Sequence, residues 1–361
     1  MSHPAPGEIT IAGRRIGPGH PPYIIAEMSG NHNHDINRAY ALIDAAADAG
    51  ADMVKLQTYT PDTITIDHDG PGFKVQGGLW DGRSLYDLYR EAHTPWDWHA
   101  KLFQHAQDRN IAIFSTPFDS TAVDLLASLN APAYKIASFE AIDLPLIARV
   151  AAEKKPMIIS TGMTNLGEID EAVTTARKNG CDELVLLHCV STYPSTFENA
   201  NVRTVQHLAD AFGVIAGLSD HTPGTACSVA AVALGACVIE KHFTLARADG
   251  GPDSSFSLEP DELKRLVEDC RNAHASLGKI DYSRSDAERG SLVFRRSLYV
   301  VADIAKGEKL TPRNVRSIRP GFGLAPKYLP TVLGTRARQA LKRGDPLAWA
   351  MIEPEEAGKA S

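Results

Sequence analysis

Short apolar segments alternate with longer segments of mixed polarity along most of the chain. The apolar segments predict buried strands at residues 23–29, 53–58, 112–116, 133–138, 157–162, 183–189, 214–219 and 238–245. The mixed segments predict helices with one apolar face, as at residues 37–49, where apolar side chains recur at every third or fourth position. Eight strands, each followed by a helix, predict a closed (β/α)8 TIM barrel of the α/β class rather than an open sheet.

Further helices are predicted at residues 119–129, 166–179 and 222–234, and a helix at residues 261–277 is predicted to close the barrel. Gly50 and Gly180 stand where the first and fifth helices would stop. The connection over residues 59–94 is far longer than a plain strand-to-helix loop and is rich in glycine and proline. Long loops at that end of a barrel usually carry function, so a role at the site is expected.

The composition and the apolar pattern of the sequence change after Gly278. A polar, charged stretch follows, and then short apolar pieces separated by turns, too few for another strand–helix series. Two of these pieces, residues 304–310 and 341–347, resemble each other, which indicates a small module built from two similar halves. We therefore predict a barrel domain at residues 1–280, a linker at 281–296, a β-rich domain at 297–354 and a disordered tail at 355–361.

Composition and charge exclude several classes of protein. The 361 residues carry a net charge of −7 without a long basic stripe, which argues against a nucleic-acid partner. Residues 1–11 lack the pattern of a secretory signal, and no apolar run is long enough to span a membrane. The five cysteines are odd in number and lack metal-binding spacing, so reduced thiols and a cytoplasmic location are expected.

Two histidines lie at the carboxyl ends of the last two predicted strands. His221 and His242 would lie next to each other, because the carboxyl ends of barrel strands meet at one face. Neutral imidazoles suit a divalent transition metal with open positions for a substrate. The alternative is that each histidine is a hydrogen-bonded structural residue.

Charged residues also occupy strand positions that predict an inward direction. Lys55 and Gln57 alternate with apolar neighbours and so share one side of their strand, and Lys135 lies in the fourth strand. Lysines ringed by serine and threonine hydroxyls would form a cradle for an oxyanion or phosphate. The alternative for either lysine is a buried ion pair with Glu27 or Glu240. Lys241 is out of phase with its neighbours and is expected to face the helices.

Several short motifs carry a resemblance to a known family: IAE at 25–27, GNH at 30–32, KLQ at 55–57, FSTPF at 114–118, YKIAS at 134–138, STGM at 160–163, GLSDHT at 217–222 and EKHFT at 240–244. Together they resemble the sialic acid synthases, which condense phosphoenolpyruvate with an N-acylated hexose to give a nonulosonic acid and phosphate. The motif RPGFG at 319–323 resembles the signature of the family's C-terminal antifreeze-like (SAF) domain. The resemblance covers residues 8–352.

Within this family the chain most resembles the pseudaminic acid synthases. The motifs are QTYTPDT at 57–63, EAHTPW at 91–96, STYP at 191–194 and RADGGPDS at 247–254. Synthases for N-acetylneuraminate usually have asparagine at the position of Ser191, which counts against their substrate here. The resemblance implies 2,4-diacetamido-2,4,6-trideoxy-altrose as the acceptor, with N-acetylneuraminate or legionaminic acid synthesis as the alternative.

The resemblance also implies roles for individual residues. His221 and His242 would bind a divalent metal, Mn²⁺ first, with Mg²⁺ or Co²⁺ as alternatives. Phosphoenolpyruvate would be held by Lys55, Thr116, Lys135, Ser138, Ser160 and Ser219. The catalytic carboxylates would be Glu27, Glu140 and Glu240, and Tyr193 and Asp253 would contact the sugar. Gln57 and Ser191 would be further substrate-binding residues. In a homodimer with a swapped C-terminal domain, Arg319 would reach the partner's barrel.

Two other functions are compatible with parts of this pattern. One is another phosphoenolpyruvate–aldose condensing enzyme or a class II aldolase on the same barrel. The other is a non-catalytic sugar- or ice-binding protein, by analogy with the C-terminal module. The presence of Lys135, Glu27 and both histidines favours an enzyme.

Overall fold

The computed structural model describes residues 7–353, and the chain divides into two units after Gly278. An antiparallel hairpin of β1 (Ile9–Ile11) and β2 (Arg14–Ile16) opens the first unit. Ile11 and Ile16 are buried in the same apolar cluster as side chains from the lower parts of the barrel strands. The hairpin therefore covers the amino-terminal end of the barrel, a feature that the sequence pattern did not predict.

Eight parallel strands close into the predicted barrel, in the order β10-β3-β4-β5-β6-β7-β8-β9. The strands are β3 (Tyr23–Glu27), β4 (Met53–Thr58), β5 (Ala112–Pro117), β6 (Tyr134–Ile136), β7 (Met157–Ser160), β8 (Leu184–Cys189), β9 (Ile215–Asp220) and β10 (Val238–His242). All eight predicted strands are confirmed. Several end earlier than predicted because the chain turns there: Ser29 has a φ of 45°, and a 3₁₀ turn occupies Ser138–Glu140.

Helices cover the outside of the barrel. They are α1 (Ile36–Asp48), α2 (Pro61–Ile64), α3 (Leu85–Ala92), α4 (His99–Asp108), α5 (Ser120–Ser128), α6 (Leu144–Ala151), α7 (Leu166–Lys178), α8 (Thr204–Phe212), α9 (Ala226–Ala233) and α10 (Pro260–Leu277). Except for α2 and α3, which belong to the long connection, the buried apolar side chains of these helices pack against the outward side chains of the strands in one large core. Asp35 caps α1 and Asn165 caps α7, each by accepting backbone N–H bonds, which fixes where these helices begin.

The long connection over residues 59–94 is folded. It contains α2 and α3 and, between them, a hairpin in which Val75 N donates to Arg83 O (2.9 Å) and Gly82 N donates to Val75 O (2.9 Å). The indole of Trp80, at the turn of this hairpin, donates to Pro252 O at 2.9 Å. The connection is thereby joined to the loop that follows β10.

The second unit is small and rich in β-structure. It contains α11 (Asp286–Arg289), the antiparallel pair β11 (Ser297–Val300) and β12 (Val315–Ile318), and α12 (Leu329–Val332). The two similar segments lie side by side, since Ile304 and Leu341 exchange both backbone hydrogen bonds at 2.9 Å. Each segment turns at a glycine with positive φ, Gly307 at 77° and Gly344 at 99°. The predicted disordered tail from residue 355 lies outside the described residues.

Helix length and hydropathy were also compared with those of membrane spans. Within residues 7–353, no helix is long and apolar enough to cross a bilayer.

Candidate active site

A network of buried charges lies where the barrel strands end. Lys55 Nζ on β4 is 2.6 Å from Glu240 Oε1 on β10 and 3.2 Å from Glu27 Oε2 on β3. Gln57 Nε2 donates to Glu27 Oε1 at 2.9 Å, and Ser219 Oγ donates to Glu240 Oε1 at 3.2 Å. Lys55 and Gln57 thus share the interior face, as their spacing predicts. For Lys55, the buried ion pair that the sequence left open is what the structure contains.

Burial and mutual attraction set the charges of this network. Burial raises the pKa of Glu27, and the nearby Glu240 adds to this effect against the attraction of Lys55. Burial acts in the same direction on Glu240, but Lys55 and Lys135 outweigh it and lower the pKa of that carboxyl. The pKa of Lys55 is raised because its two carboxylates outweigh the effect of burial. Two carboxyl groups in one pocket are therefore driven towards different protonation states.

Lys135 on β6 is a buried cation of a different kind. Its Nζ donates to Ser160 Oγ on β7 at 2.6 Å and to Ile136 O at 2.8 Å. Among the residues that the structure describes, no carboxylate forms a salt bridge with it. Burial lowers the pKa of Lys135 to about 8. A buried ammonium held only by neutral oxygens is a suitable receptor for an anion.

Small and hydroxyl-bearing residues surround a concave surface near Lys135. The backbone N–H of Gly162 donates to Ser138 Oγ at 3.1 Å. A Cβ atom at Gly162 would lie 2.2 Å from Ser191 Oγ and 2.7 Å from Ser138 Oγ, so only glycine fits there. Thr116 Oγ1 is buried and has no hydrogen-bond partner. Ser138 and Ser191, two of the predicted site residues, thus lie close to Gly162, which was not among the predicted site residues.

The two histidines that end β9 and β10 are neighbours. The ring centroids of His221 and His242 are 5.3 Å apart. His221 Nδ1 lies 3.1 Å from Val190 O and 3.8 Å from Cys189 Sγ. His242 Nδ1 is buried without a hydrogen-bond partner, and Asp253 Oδ2 lies 3.8 Å from it. Burial and the nearby cationic groups lower the pKa of His242, which keeps this imidazole neutral.

The donor set around these rings fits a divalent cation. Besides His242 Nδ1, the buried oxygen Glu240 Oε2 lacks a hydrogen-bond partner. Neutral imidazoles and carboxylate oxygens are common ligands of divalent metals. Within the described part of the chain, no group of three or more His, Cys, Asp or Glu side chains is already arranged around one point. The two histidines could therefore supply two ligands to such a cation, and further ligands would have to come from other groups.

The residues that directly precede the two histidines form an ion pair between the barrel and the surrounding helices. Lys241 Nζ lies 2.8 Å from Asp220 Oδ2 and donates to Thr222 O at 2.5 Å. Asp220 Oδ2 also accepts from Ser228 Oγ on α9 at 2.7 Å. Lys241 thus faces the helices, as its phase predicts, and the pair contributes to structure rather than to the interior of the site.

A cavity of about 500 Å³ lies over this end of the barrel. Its polar lining includes Gln57, Glu140, Tyr193, His242 and Asp253. Its other lining residues are Tyr59, Ile64, Val75, Trp80, Leu85, Leu88, Tyr89, Ala92, Phe118, Ala137, Phe139 and Pro252. Most of these belong to the connection over residues 59–94, which therefore forms part of the site as expected. The sequence did not show which residues of this connection line the cavity. Only the length and composition of the connection indicated a role.

Two carboxyl groups in the cavity have raised pKa values. Burial raises the pKa of Glu140 to about 7, and Glu140 Oε2 has no hydrogen-bond partner. Burial likewise raises the pKa of Asp253 to about 6. Tyr193 packs beside the histidines, with its ring centroid 4.5 Å from that of His221 and 5.7 Å from that of Trp80. The carboxyl groups of Glu140 and Asp253 can exchange protons with a bound ligand near neutral pH.

Arg319 belongs to the second unit, unlike the other predicted site residues. It follows β12 and is exposed. Gly323, four residues later, packs so closely that a Cβ atom there would lie 2.2 Å from Leu298 O. The loop that carries Arg319 is therefore held against β11 of its own unit.

Comparison with known proteins adds independent observations. The sequence pattern of the NeuB family matches residues 42–282, and that of the SAF domain matches residues 295–353. The pseudaminic acid synthase of Helicobacter pylori is 44% identical over 92% of this chain and 98% of its own length. The pseudaminic acid synthase of Campylobacter jejuni is 44% identical over 90% of this chain and 95% of its own.

A solved structure shows the same architecture. The crystal structure of an N-acetylneuraminic acid synthetase from Leptospira borgpetersenii, in complex with citrate, has a TM-score of 0.71 at 32% identity. The match covers 80% of this chain and 96% of that one.

Proposed function

The chain belongs to the NeuB family, and from this we propose that it acts as a pseudaminic acid synthase. It condenses phosphoenolpyruvate with 2,4-diacetamido-2,4,6-trideoxy-altrose, giving pseudaminic acid and phosphate, and so is a carbon–carbon bond-forming transferase. The enol carbon of phosphoenolpyruvate bonds to the aldehyde carbon of the sugar, whose oxygen takes up a proton. Water supplies the new oxygen as the phosphate leaves.

The observation that carries this proposal is the buried, carboxylate-free ammonium of Lys135 beside the Lys55 network. Phosphoenolpyruvate carries a carboxylate and a phosphate, and charge-assisted bonds to buried cations are the strongest that a protein offers to such groups. Lys135 donates to Ser160, and the backbone N–H of Gly162 donates to Ser138; these two pairs are proposed to face the bound anion. Thr116, Ser219 and Lys55 complete the proposed anion site.

The carboxyl groups are proposed to move the protons. Glu27 and Glu140 have raised pKa values, so each can change its protonation state near neutral pH. Glu240, whose pKa is lowered, stays ionised and keeps Lys55 charged. One group of raised pKa gives a proton to the aldehyde oxygen, and the other receives the proton of the attacking water.

His221 and His242 are proposed to hold a divalent metal, with Mn²⁺ as the first candidate and Mg²⁺ or Co²⁺ as alternatives. A bound divalent cation supplies Lewis acidity at the aldehyde of the sugar. The partner-free Nδ1 of His242 and the partner-free Oε2 of Glu240 support this assignment. Gln57, Ser191, Tyr193 and Asp253 orient the sugar, since three of them line the cavity and Ser191 borders Gly162.

We further propose a homodimer in which the second unit of one chain covers the barrel of its partner. Large apolar side chains are exposed in loops that follow the barrel strands, namely Phe139, Ile142, Met163 and Phe197. In the second unit, Phe322 is exposed three residues from Arg319. Exposed apolar surface next to a site supports a subunit contact there. Arg319 would then donate to an acyl carbonyl of the sugar.

The location of the protein is proposed to be cytoplasmic. The five cysteines are buried free thiols, which is typical of a reducing compartment.

The proposed reaction is tested by offering the purified protein phosphoenolpyruvate, Mn²⁺ and each of three acceptors: the diacetamido-trideoxy-altrose, the legionaminic-type gluco isomer, and N-acetylmannosamine. Release of phosphate together with a product mass equal to that of the nonulosonic acid supports the proposal. The altrose isomer is expected to react most efficiently. An aldolase would instead release no phosphate, and faster turnover of another sugar would replace the acceptor named here.

A further inference from the structure

The cavity over the barrel has chemically distinct parts. Its polar lining residues include Glu140, His242 and Asp253. The connection over residues 59–94 contributes four aliphatic side chains, Ile64, Val75, Leu85 and Leu88, which we call the apolar wall. The proposed anion and metal chemistry uses none of these four residues. A hexose with a full set of hydroxyl groups would have to bury some of them against this wall without partners, which is unfavourable.

The apolar wall is held in place by the fold. Leu85 and Leu88 belong to α3, whose first turn is capped by the side chain of Ser84. Val75 belongs to the hairpin that ends in Trp80, and the Trp80 indole donates to Pro252 O at 2.9 Å. The wall is thereby joined to the loop that carries Asp253, so it faces the same ligand as the polar lining residues do.

The direction of the acceptor follows from the site of reaction. The aldehyde carbon, C1, must lie beside the enol carbon of phosphoenolpyruvate and near the catalytic carboxyl groups. In an open-chain hexose C6 is the carbon farthest from C1, so it extends away from the catalytic carboxyl groups. The aliphatic lining supplied by the long connection is the surface that suits a terminal methyl group rather than a hydroxymethyl group.

We propose that the apolar wall is the specificity determinant that selects a 6-deoxy acceptor, by receiving its C6 methyl group. This inference rests on the proposed condensation and deepens it, because it assigns the choice of sugar to particular residues. The 6-hydroxy counterpart of the same sugar places a hydroxyl group against Leu85 and its neighbours. An apolar pocket rejects such an added hydroxyl by roughly ten- to a hundredfold.

The test compares two acceptors that differ at one atom: 2,4-diacetamido-2,4,6-trideoxy-altrose and its 6-hydroxy counterpart. The value of kcat/KM is measured for each by phosphate release, with Mn²⁺ and phosphoenolpyruvate in excess. The wild-type protein is expected to prefer the 6-deoxy sugar by at least about tenfold. In Leu85→Asn the preference is expected to fall by about tenfold, because the amide gives the 6-hydroxyl a partner and exposes the methyl group to a polar surface.

Leu79→Asn is the matched control. Leu79 lies in the same connection, is 46% exposed, and is not among the residues that line the cavity. This variant is expected to keep the wild-type preference. Val75→Thr is a second wall variant that conserves shape, and it is used with circular dichroism in case Leu85→Asn does not fold. It is expected to shift the preference in the same direction by a smaller factor.

The outcomes separate the two levels of the proposal. Equal use of both sugars by the wild-type protein overturns the role of the wall and leaves the condensation standing. The role of the wall would also be overturned if folded Leu85→Asn lost kcat/KM equally for both sugars and Val75→Thr kept the wild-type preference. If neither sugar releases phosphate, the condensation itself is wrong, and the inference is overturned with it.

Discussion

At the scale of single residues, the two buried lysines of the interior differ in what neutralises them. Lys55 is matched by two carboxylates, whereas Lys135 is held only by a hydroxyl and a carbonyl oxygen. Strand phase predicted that Lys55 points inward and Lys241 outward. It could not assign the ion pair to Lys55 rather than Lys135, because that depends on distances between side chains of different strands.

The charge of Lys135 makes binding of phosphoenolpyruvate depend on pH. Its folded pKa of about 8 lies below the ordinary 10.5, so the ammonium is complete below pH 8 and is lost as the pH rises through that value. We expect the Kd for phosphoenolpyruvate, measured by calorimetry without sugar, to rise above about pH 8. Lys135→Met should bind roughly ten- to a hundredfold more weakly at pH 7, corresponding to about 1.5–3 kcal/mol. Its Kd should be less dependent on pH, and a rise as steep as that of the wild type would contradict this assignment.

Lys241 provides the matched control lysine. Lys241→Met removes a buried partner of Asp220 without touching the interior of the barrel. Breaking a buried ion pair in this way costs roughly 3–5 kcal/mol of unfolding free energy. The urea midpoint should fall, while the Kd for phosphoenolpyruvate should stay within about twofold of the wild type. If Lys241→Met weakened phosphoenolpyruvate binding and Lys135→Met did not, the assigned directions of the two lysine side chains would be wrong.

The two histidines are expected to act as a unit in metal binding. His221→Ala or His242→Ala should each abolish activity and reduce the bound metal measured by elemental analysis, since each change removes one of two imidazoles. EDTA should inactivate the wild-type protein, and Mn²⁺ should restore it. His34→Ala is a suitable control, because His34 is exposed and lies outside the cavity lining. Full turnover after thorough chelation would contradict the metal proposal.

At the scale of elements, the strands and most helices could be predicted and the long connection could not. Each barrel strand is predicted by a local run of apolar residues that is bounded by polar ones. The hairpin of β1 and β2 consists of two pieces of three residues, too short for such a signal. Within residues 59–94 the shape depends on distant partners, such as the bond from Trp80 to Pro252, 172 positions away. Local pattern carries no information on a contact of that kind.

The bond from Trp80 gives a prediction for the whole connection. Trp80→Phe keeps an aromatic ring but removes the donor to Pro252 O. A single hydrogen bond contributes about 1 kcal/mol, so the KM for the sugar should rise by roughly fivefold. The KM for phosphoenolpyruvate should stay unchanged, because its proposed donors lie on the barrel strands or directly after them. A parallel rise in both KM values would show that the hairpin supports the barrel rather than the acceptor site.

At the scale of the whole molecule, the proposed swap predicts that catalysis needs two chains. Arg319→Ala and Lys135→Ala should each be nearly inactive alone, because one lacks the proposed donor from the second unit and the other lacks the anion receptor. Mixed and allowed to exchange subunits, they should regain part of the wild-type activity, since one heterodimer site contains both intact parts.

The control for this complementation is subunit exchange itself, followed by native mass spectrometry. Lys135→Ala mixed with Ser160→Ala, both changed in the barrel, should regain nothing. If heterodimers of Arg319→Ala and Lys135→Ala form and remain inactive, the second unit acts on its own chain or outside catalysis.

The ion pair of Asp220 and Lys241 has a consequence for the metal that the protein would accept. These residues directly precede His221 and His242, and successive side chains near the end of a strand point to opposite faces of the sheet. The ion pair on the outer face of the barrel therefore helps to fix the two imidazoles on the inner face. Their ring centroids are 5.3 Å apart without a bound ion. A metal site that used these two imidazoles would have them preorganised, so little conformational entropy of their side chains would be lost when the ion binds. Its preference among divalent cations should then reflect their radius and coordination geometry rather than the flexibility of the chain.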